Sequence, residues 1–151
     1  MEDNGLLVRQ SNPIVRYIAK KYGQIQLWPA DDPEYVEAER WMEWQATDNW
    51  KNMATVFWGL IRTPPEEQDK EAIAVSVEAL NKDFALLNDH LSERHYVAGE
   101  NFTMGDIPPG AATYRFYALP IKRNKFPHLE VWFGRLQERQ SFRQLVQIPL
   151  A

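Results

Sequence analysis

The chain has 151 residues, a formal charge of −4, 44% hydrophobic residues and no cysteine. That length supports one domain with a substantial core, and the missing thiols exclude disulfides, zinc thiolates and a cysteine nucleophile. The acidic balance argues against a nucleic-acid partner, and no apolar run approaches the roughly 18 residues of a membrane span. The Glu2-Asp3 start lacks the apolar segment of a secretory signal, and the absence of disulfides fits a cytoplasmic protein, which is the expectation.

Taken in order, the first element is a turn. Asn4-Gly5 favours a two-residue hairpin because both residues tolerate positive φ. Residues 6–9 read as a strand and residues 11–22 as a helix, with Ile14, Ile18 and Tyr17 inward and Gly23 as its stop. Only three residues precede the turn, so one arm is nearly absent and the chain is expected to start partway through a larger fold. Residues 24–33, QIQLWPADDP, read as a connection. A long helix then starts at Asp32 as N-cap with Pro33 in the first helical position. It carries Val36, Trp41, Met42, Met53, Val56, Phe57, Leu60 and Ile61 inward, ends by Thr63, and has ATDNWKN as the place for a bend.

Thr63-Pro64-Pro65-Glu66 reads as a capping box that restarts a helix. Beyond it, Ile73, Val77, Leu80, Phe84, Leu87 and Leu91 alternate spacings of four and three on one stripe, the mark of a bundle helix antiparallel to the preceding one. Helices are expected at 103–119 and at 129–138, the latter with Leu129, Trp132, Phe133 and Leu136 inward. Ser141 looks like a further capping box, and Pro108-Pro109-Gly110 predicts a kink or a frayed turn. His90 and His95, five apart with no completing carboxylate, do not form a metal site. Trp41, Trp44 and Trp50 suit core or dimer packing better than a substrate wall. The class is mainly α with one orphan strand.

Residues 96–108 read YVAGENFTMGDIP. Thr103 and Asp106 have capping-box spacing, and Phe102 and Ile107 stand at the two positions of a hydrophobic staple. These four residues shape a core and perform no chemistry. In this setting they resemble the helical domain of glutathione transferases. QSNPIVRYIAKKYG is similar to the end of that family's thioredoxin-like domain, LWPADDPEYVEAERWMEWQ to the linker and first long helix of bacterial theta-like members, and PHLEVWFGRLQERQSFRQLV to the family's closing helices.

The resemblance implies three parts: a remnant of the thioredoxin-like glutathione-binding domain at 1–23, a linker at 24–33, and the all-helical C-terminal domain at 34–151. It implies conjugation of the glutathione thiolate to an electrophile, with glutathione as co-substrate and no cofactor. The family's sulfur-activating Ser, Tyr or Cys lies near the start of the thioredoxin-like domain and has no counterpart here. No catalytic residue is therefore assigned, and the chain alone is expected to be inactive. Gln10 and Ser11 match the family's acid-or-amide and Ser pair, which would hold the γ-glutamyl carboxylate at a helix N-terminus; from spacing alone, Ser11 simply caps its own helix. The second-substrate pocket falls on Gln45, Asn49 and Met53, a stripe that packing alone also explains. A homodimer is expected, weakened by the missing part. The alternative is a non-catalytic interaction module, as glutathione-transferase-like domains are in translation factors and synthetases.

Overall fold

The computed structural model describes residues 1–150, the side chains of Gln24 and Ile25 excepted. Asn4 (φ 49°) and Gly5 (φ 84°) both adopt positive φ. They close an antiparallel ribbon of β1 (Glu2–Asp3) and β2 (Leu6–Leu7), with Glu2 opposite Leu7 and Asp3 opposite Leu6. The strand is thus shorter than the 6–9 expected. Asp3 ties the ribbon to helix α1 (Ser11–Tyr22): its carboxylate accepts from the Lys21 ammonium and from the Tyr22 and Tyr17 hydroxyls. Those bonds, Lys21 foremost, hold its pKa down at about 2.

Helix α1 has the expected bounds but not the expected inward stripe. Ile18 is 37% exposed, whereas Asn12 and Ala19 are buried and Val15 packs beside Ala19. Asn12 and Ala19 face the bundle: the Asn12 amide donates to the Met42 carbonyl of α3 (Asp32–Trp44) at 3.1 Å, and Ala19 joins a buried cluster with Ala38, Met42, Ala98 and Met104. A short helix, α2 (Gln24–Leu27), lies in the connection.

The N-cap of α3 is Asp31, not Asp32. Asp31 has the extended backbone a cap needs and accepts from the Glu34 amide at 2.9 Å, while the Glu34 carboxylate accepts from the Ala30 amide. Val36 is exposed, contrary to expectation; Ala38, Trp41, Met42 and Trp44 form the buried face. The helix runs on to Arg62 without a break, through a π-turn at Gln45–Asn49, then α4 (Trp50–Phe57), then a second π-turn at Trp58–Arg62. The wider turns rotate the inward face, and the first falls where a bend was expected. Met53 and Val56 are fully buried, with Phe57, Leu60 and Ile61 partly so.

Thr63 caps no new helix. Its hydroxyl donates back to the Trp58 carbonyl, closing the helix before it, and the next N-cap is Asp69, which accepts from the Ala72 amide. Helix α5 (Lys70–His90) then buries Leu80, Phe84 and Leu87, with Leu91 just beyond its end, and packs against α4. Two asparagines seven residues apart on α5 organise the returning chain. Asn81 accepts from Asn124 and donates to Lys122, while Asn88 accepts from the His128 and Leu129 amides and so caps α7 (Pro127–Glu138) from a distance.

Helix α6 (Ile107–Ala118) follows a 3₁₀ turn at Met104–Asp106. Pro108 and Pro109 produce neither the expected kink nor fraying. They occupy the second and third helical positions, where no intrahelical N–H bond is lost, and both are buried. The final helix α8 (Gln140–Leu145) starts two residues earlier than a Ser141 cap requires and has no side-chain cap. Among the described residues, no helix is long and apolar enough to cross a membrane.

The capping box at 103–106 is the buried centre of the bundle. Thr103 Oγ1 accepts from the Gly105 amide, and Asp106 Oδ2 accepts from the Thr103 amide at 2.9 Å. Asp106 Oδ1 also receives the Val97 amide at 3.0 Å and the Trp132 indole N–H at 2.9 Å. The turn lies flat on α3, where a Cβ on Gly105 would sit 2.7 Å from Ala38 Cα. Phe102 packs edge-on to Tyr96 and carries the Arg139 guanidinium on its ring. Burial raises the Asp106 carboxyl to about 6 against the pull of its donors.

Asp106→Asn is expected to destabilise the chain by about 1–3 kcal/mol at pH 7, because one buried N–H is left facing an amide. Since the folded-state pKa lies above the unfolded one, the native state binds the extra proton. That contribution is complete below pH 3.8 and lost as pH rises through about 6. The stability advantage of the unmutated chain over Asp106→Asn should therefore shrink by ~3 kcal/mol across that window in urea titrations.

Candidate functional site

The N-terminus of α1 is built to stay open. Gln10 has φ 66° and ψ 149°, a backbone region that non-glycine residues avoid, and it delivers Ser11 as the first helical residue. The first intrahelical bond runs from the Ile14 amide to the Gln10 carbonyl. The amides of Ser11 and Asn12 are therefore free for an incoming acceptor, and Pro13, in the third position, has none to offer. Ser11 does not cap its helix: no side-chain cap bond forms there, and both Gln10 and Ser11 are exposed.

These residues form one wall of a cleft of about 710 Å³. Gln45, Ala46 and Trp50, from the first π-turn and the start of α4, form the second wall, and Ile107, Pro108, Ala111 and Arg115 of α6 form the third. The floor is fixed electrostatically. Arg16 of α1 donates through Nε and Nη2 to both Glu39 oxygens, at 2.8 and 2.7 Å, and also pairs with Glu43. Those carboxylates raise the Arg16 pKa further above its ordinary value, the Glu39 hydrogen bond being the largest cause.

The structure brings Gln10, Ser11 and Gln45 together on this cleft and also places Ile107 on it. Asn49 and Met53 do not line it. Both have 0% exposure; Met53 belongs to the main core, and the Asn49 amide has no hydrogen-bond partner. Trp41 and Trp44 are core residues, whereas Trp50 is 43% exposed and lines the cleft. Sequence reasoning missed Asn12, Arg16, Trp50 and Arg115 as cleft residues. The polar Asn12 beside Ser11 was the available signal; nothing in the linear order links Arg16 to Glu39 or places Arg115. Among the described residues, no cluster of three His, Asp or Glu could hold a metal ion.

Residues 50–140 match the glutathione S-transferase C-terminal domain family. The glutathione S-transferase GstB of Escherichia coli K12 is 35% identical over 99% of this chain and 72% of its own length. A theta-class glutathione S-transferase from Xanthomonas axonopodis pv. citri, solved with glutathione bound, superposes with a TM-score of 0.95 at 34% identity, over 99% of this chain and 78% of that one. Elongation factor 1-gamma 1 of rice is 26% identical over 92% of this chain but only 34% of its own length. The chain belongs to the glutathione S-transferase family.

Because the Ser11 hydroxyl bonds nothing in the fold, Ser11→Ala should leave thermal stability within about 0.5 kcal/mol of the parent. Gln10→Gly should raise it by about 1 kcal/mol by relieving the positive φ. Denaturant unfolding of the two variants checks both.

Proposed function

We propose that the chain binds glutathione through the α1 N-terminus and serves a glutathione transferase reaction, the displacement by the thiolate on an electrophile. The observation that carries this reading is an uncapped helix start, with the Ser11 hydroxyl and two amides unpaired, opening on a large cleft. A helix N-terminus favours an anion by about 0.3–1 kcal/mol, and hydrogen bonds to a charged group add roughly 1.5–3 kcal/mol. The γ-glutamyl carboxylate of glutathione is the matching acceptor, with the Gln10 amide beside it. The electrophile then lies against Gln45, Trp50 and the first turn of α6.

The family resemblance locates the sulfur-activating hydroxyl near the start of the thioredoxin-like domain, and none of the described residues is assigned that role. The chain alone accordingly binds without conjugating. The interaction-module reading draws on the likeness to elongation factor 1-gamma, but an anion cradle left open on a cleft favours the transferase. The exposed Leu6 and Leu7 of the ribbon and Val36 of α3 suit a weak homodimer.

Calorimetry with S-methylglutathione tests the binding step: Ser11→Ala should lower the affinity about tenfold, equal to ~1.4 kcal/mol. Turnover of 1-chloro-2,4-dinitrobenzene with glutathione above the no-protein rate would falsify the reading of the chain as non-conjugating. Sedimentation should show mainly monomer at micromolar concentration, and a tight dimer would overturn the weak-dimer reading.

A further inference from the structure

Two guanidinium groups line the cleft, and they are in opposite situations. Arg16 is satisfied by Glu39 and Glu43. Arg115, half-buried in the last turn of α6, has no hydrogen bond, ion pair or ring contact from its side chain among the described residues. Among the described residues Glu43 is the lone carboxylate on the cleft wall, and it is held by Arg16. In a chain of net charge −4 with 21 acidic residues, this guanidinium stands unanswered on the cleft among the described residues.

A half-buried arginine presents five donors in a rigid fork and ordinarily finds an acceptor. Service at the C-terminus of its own helix does not account for Arg115. Arg123 Nη1 already reaches the Phe116 and Leu119 carbonyls there, at 3.1 and 2.6 Å. Arg115 also lines a smaller cavity of about 220 Å³, shared with Tyr114, Leu145 and Leu150. Beside it on the cleft stand Trp50, Ile107 and Ala111, an apolar surface for a small ring or alkyl body.

We infer that the second substrate of this cleft is an electrophile bearing a carboxylate, which Arg115 binds as a forked pair while Trp50 and Ile107 cover its apolar body. The inference rests on the transferase reading and names its substrate class. The two anion positions lie on different walls, Ser11 on α1 for the tripeptide and Arg115 on α6 for the electrophile.

The test is calorimetry on the 151-residue chain without glutathione, comparing 4-chloro-3-nitrobenzoate with the neutral 4-chloro-3-nitrobenzamide. The acid should bind about tenfold tighter than the amide. The preference should fall to within about twofold in Arg115→Gln and be partly kept in Arg115→Lys. Equal binding of acid and amide, no measurable binding of the acid, or a preference that survives Arg115→Gln overturns the inference. The comparison in the unmutated chain needs no variant, so it stands whether or not Arg115→Gln folds. Glutathione also carries carboxylates, and S-methylglutathione affinity should be unchanged in Arg115→Gln; a matching loss there assigns the guanidinium to the tripeptide and likewise overturns the inference. Failure of Ser11→Ala to weaken S-methylglutathione sinks the glutathione site alone, leaving the acid–amide difference intact.

Discussion

A single buried carboxylate holds the helical domain in register. Asp106 collects N–H groups from Val97, Thr103 and Trp132, so the loop at Val97, the 3₁₀ turn before α6 and the middle of α7 meet at one side chain. A carboxylate at 0% exposure is expensive to desolvate, and its raised pKa records that cost. The three donors offset it only while all three segments are in place. The interaction is therefore more a test of correct assembly than a source of net stability. Because Gly105 lets the same turn lie directly on α3, the carboxylate also fixes where α6 stands relative to the long helix, and with it two walls of the cleft.

The wall formed by α1 depends on a different kind of contact. Helix α1 meets the bundle through small and polar groups: Ala19 against Ala38 and Met42, the Asn12 amide on the Met42 carbonyl, and Arg16 on Glu39 and Glu43. These bonds are directional, so they set the azimuth of α1 as well as its distance. Ser11 consequently opens toward Gln45 and Trp50. The strained backbone at Gln10 stands at the one point where the chain leaves the ribbon and must turn into the helix. Strain of this sort persists where the surroundings over-determine it, and the Asp3 cluster and the Asn12 anchor lie on either side.

Much of this was legible in the linear order, for reasons that differ by element. The α5 stripe from Leu80 to Leu91 was readable because its spacing suits a regular helix, and the box at Thr103–Asp106 because both members are local. Elsewhere the same rules met competitors. Asp31 and Asp32 are chemically equivalent caps separated only by backbone conformation, and the Thr63 hydroxyl was already committed to the helix behind it. Ile14 and Ile18 obeyed the helical period, yet the period does not say which neighbour a helix will face. The cap on α7 comes from Asn88, 40 residues before His128. Within the site, Gln10 and Ser11 were readable as a pair at a helix start. The solitude of Arg115 is a property of what stands opposite it in space, and no sequence window contains that.

The π-turn at Gln45–Asn49 has a consequence for how this helix can change. The turn holds one residue more than an α-helical turn, and Trp50 just beyond it lines the cleft while Met42 and Met53 on either side lie in the core. Losing one residue inside the turn would return the winding to about 3.6 per turn with the helix beyond it close to its present phase. Losing one from the regular helix just before it would instead swing everything downstream by about 100° about the axis. The indole would leave the cleft, and Met53 would leave the core. The shape of the pocket is thus bound to a count of residues as firmly as to their chemistry, and insertions and deletions in this stretch are a coarser lever on the cleft than any substitution in its walls.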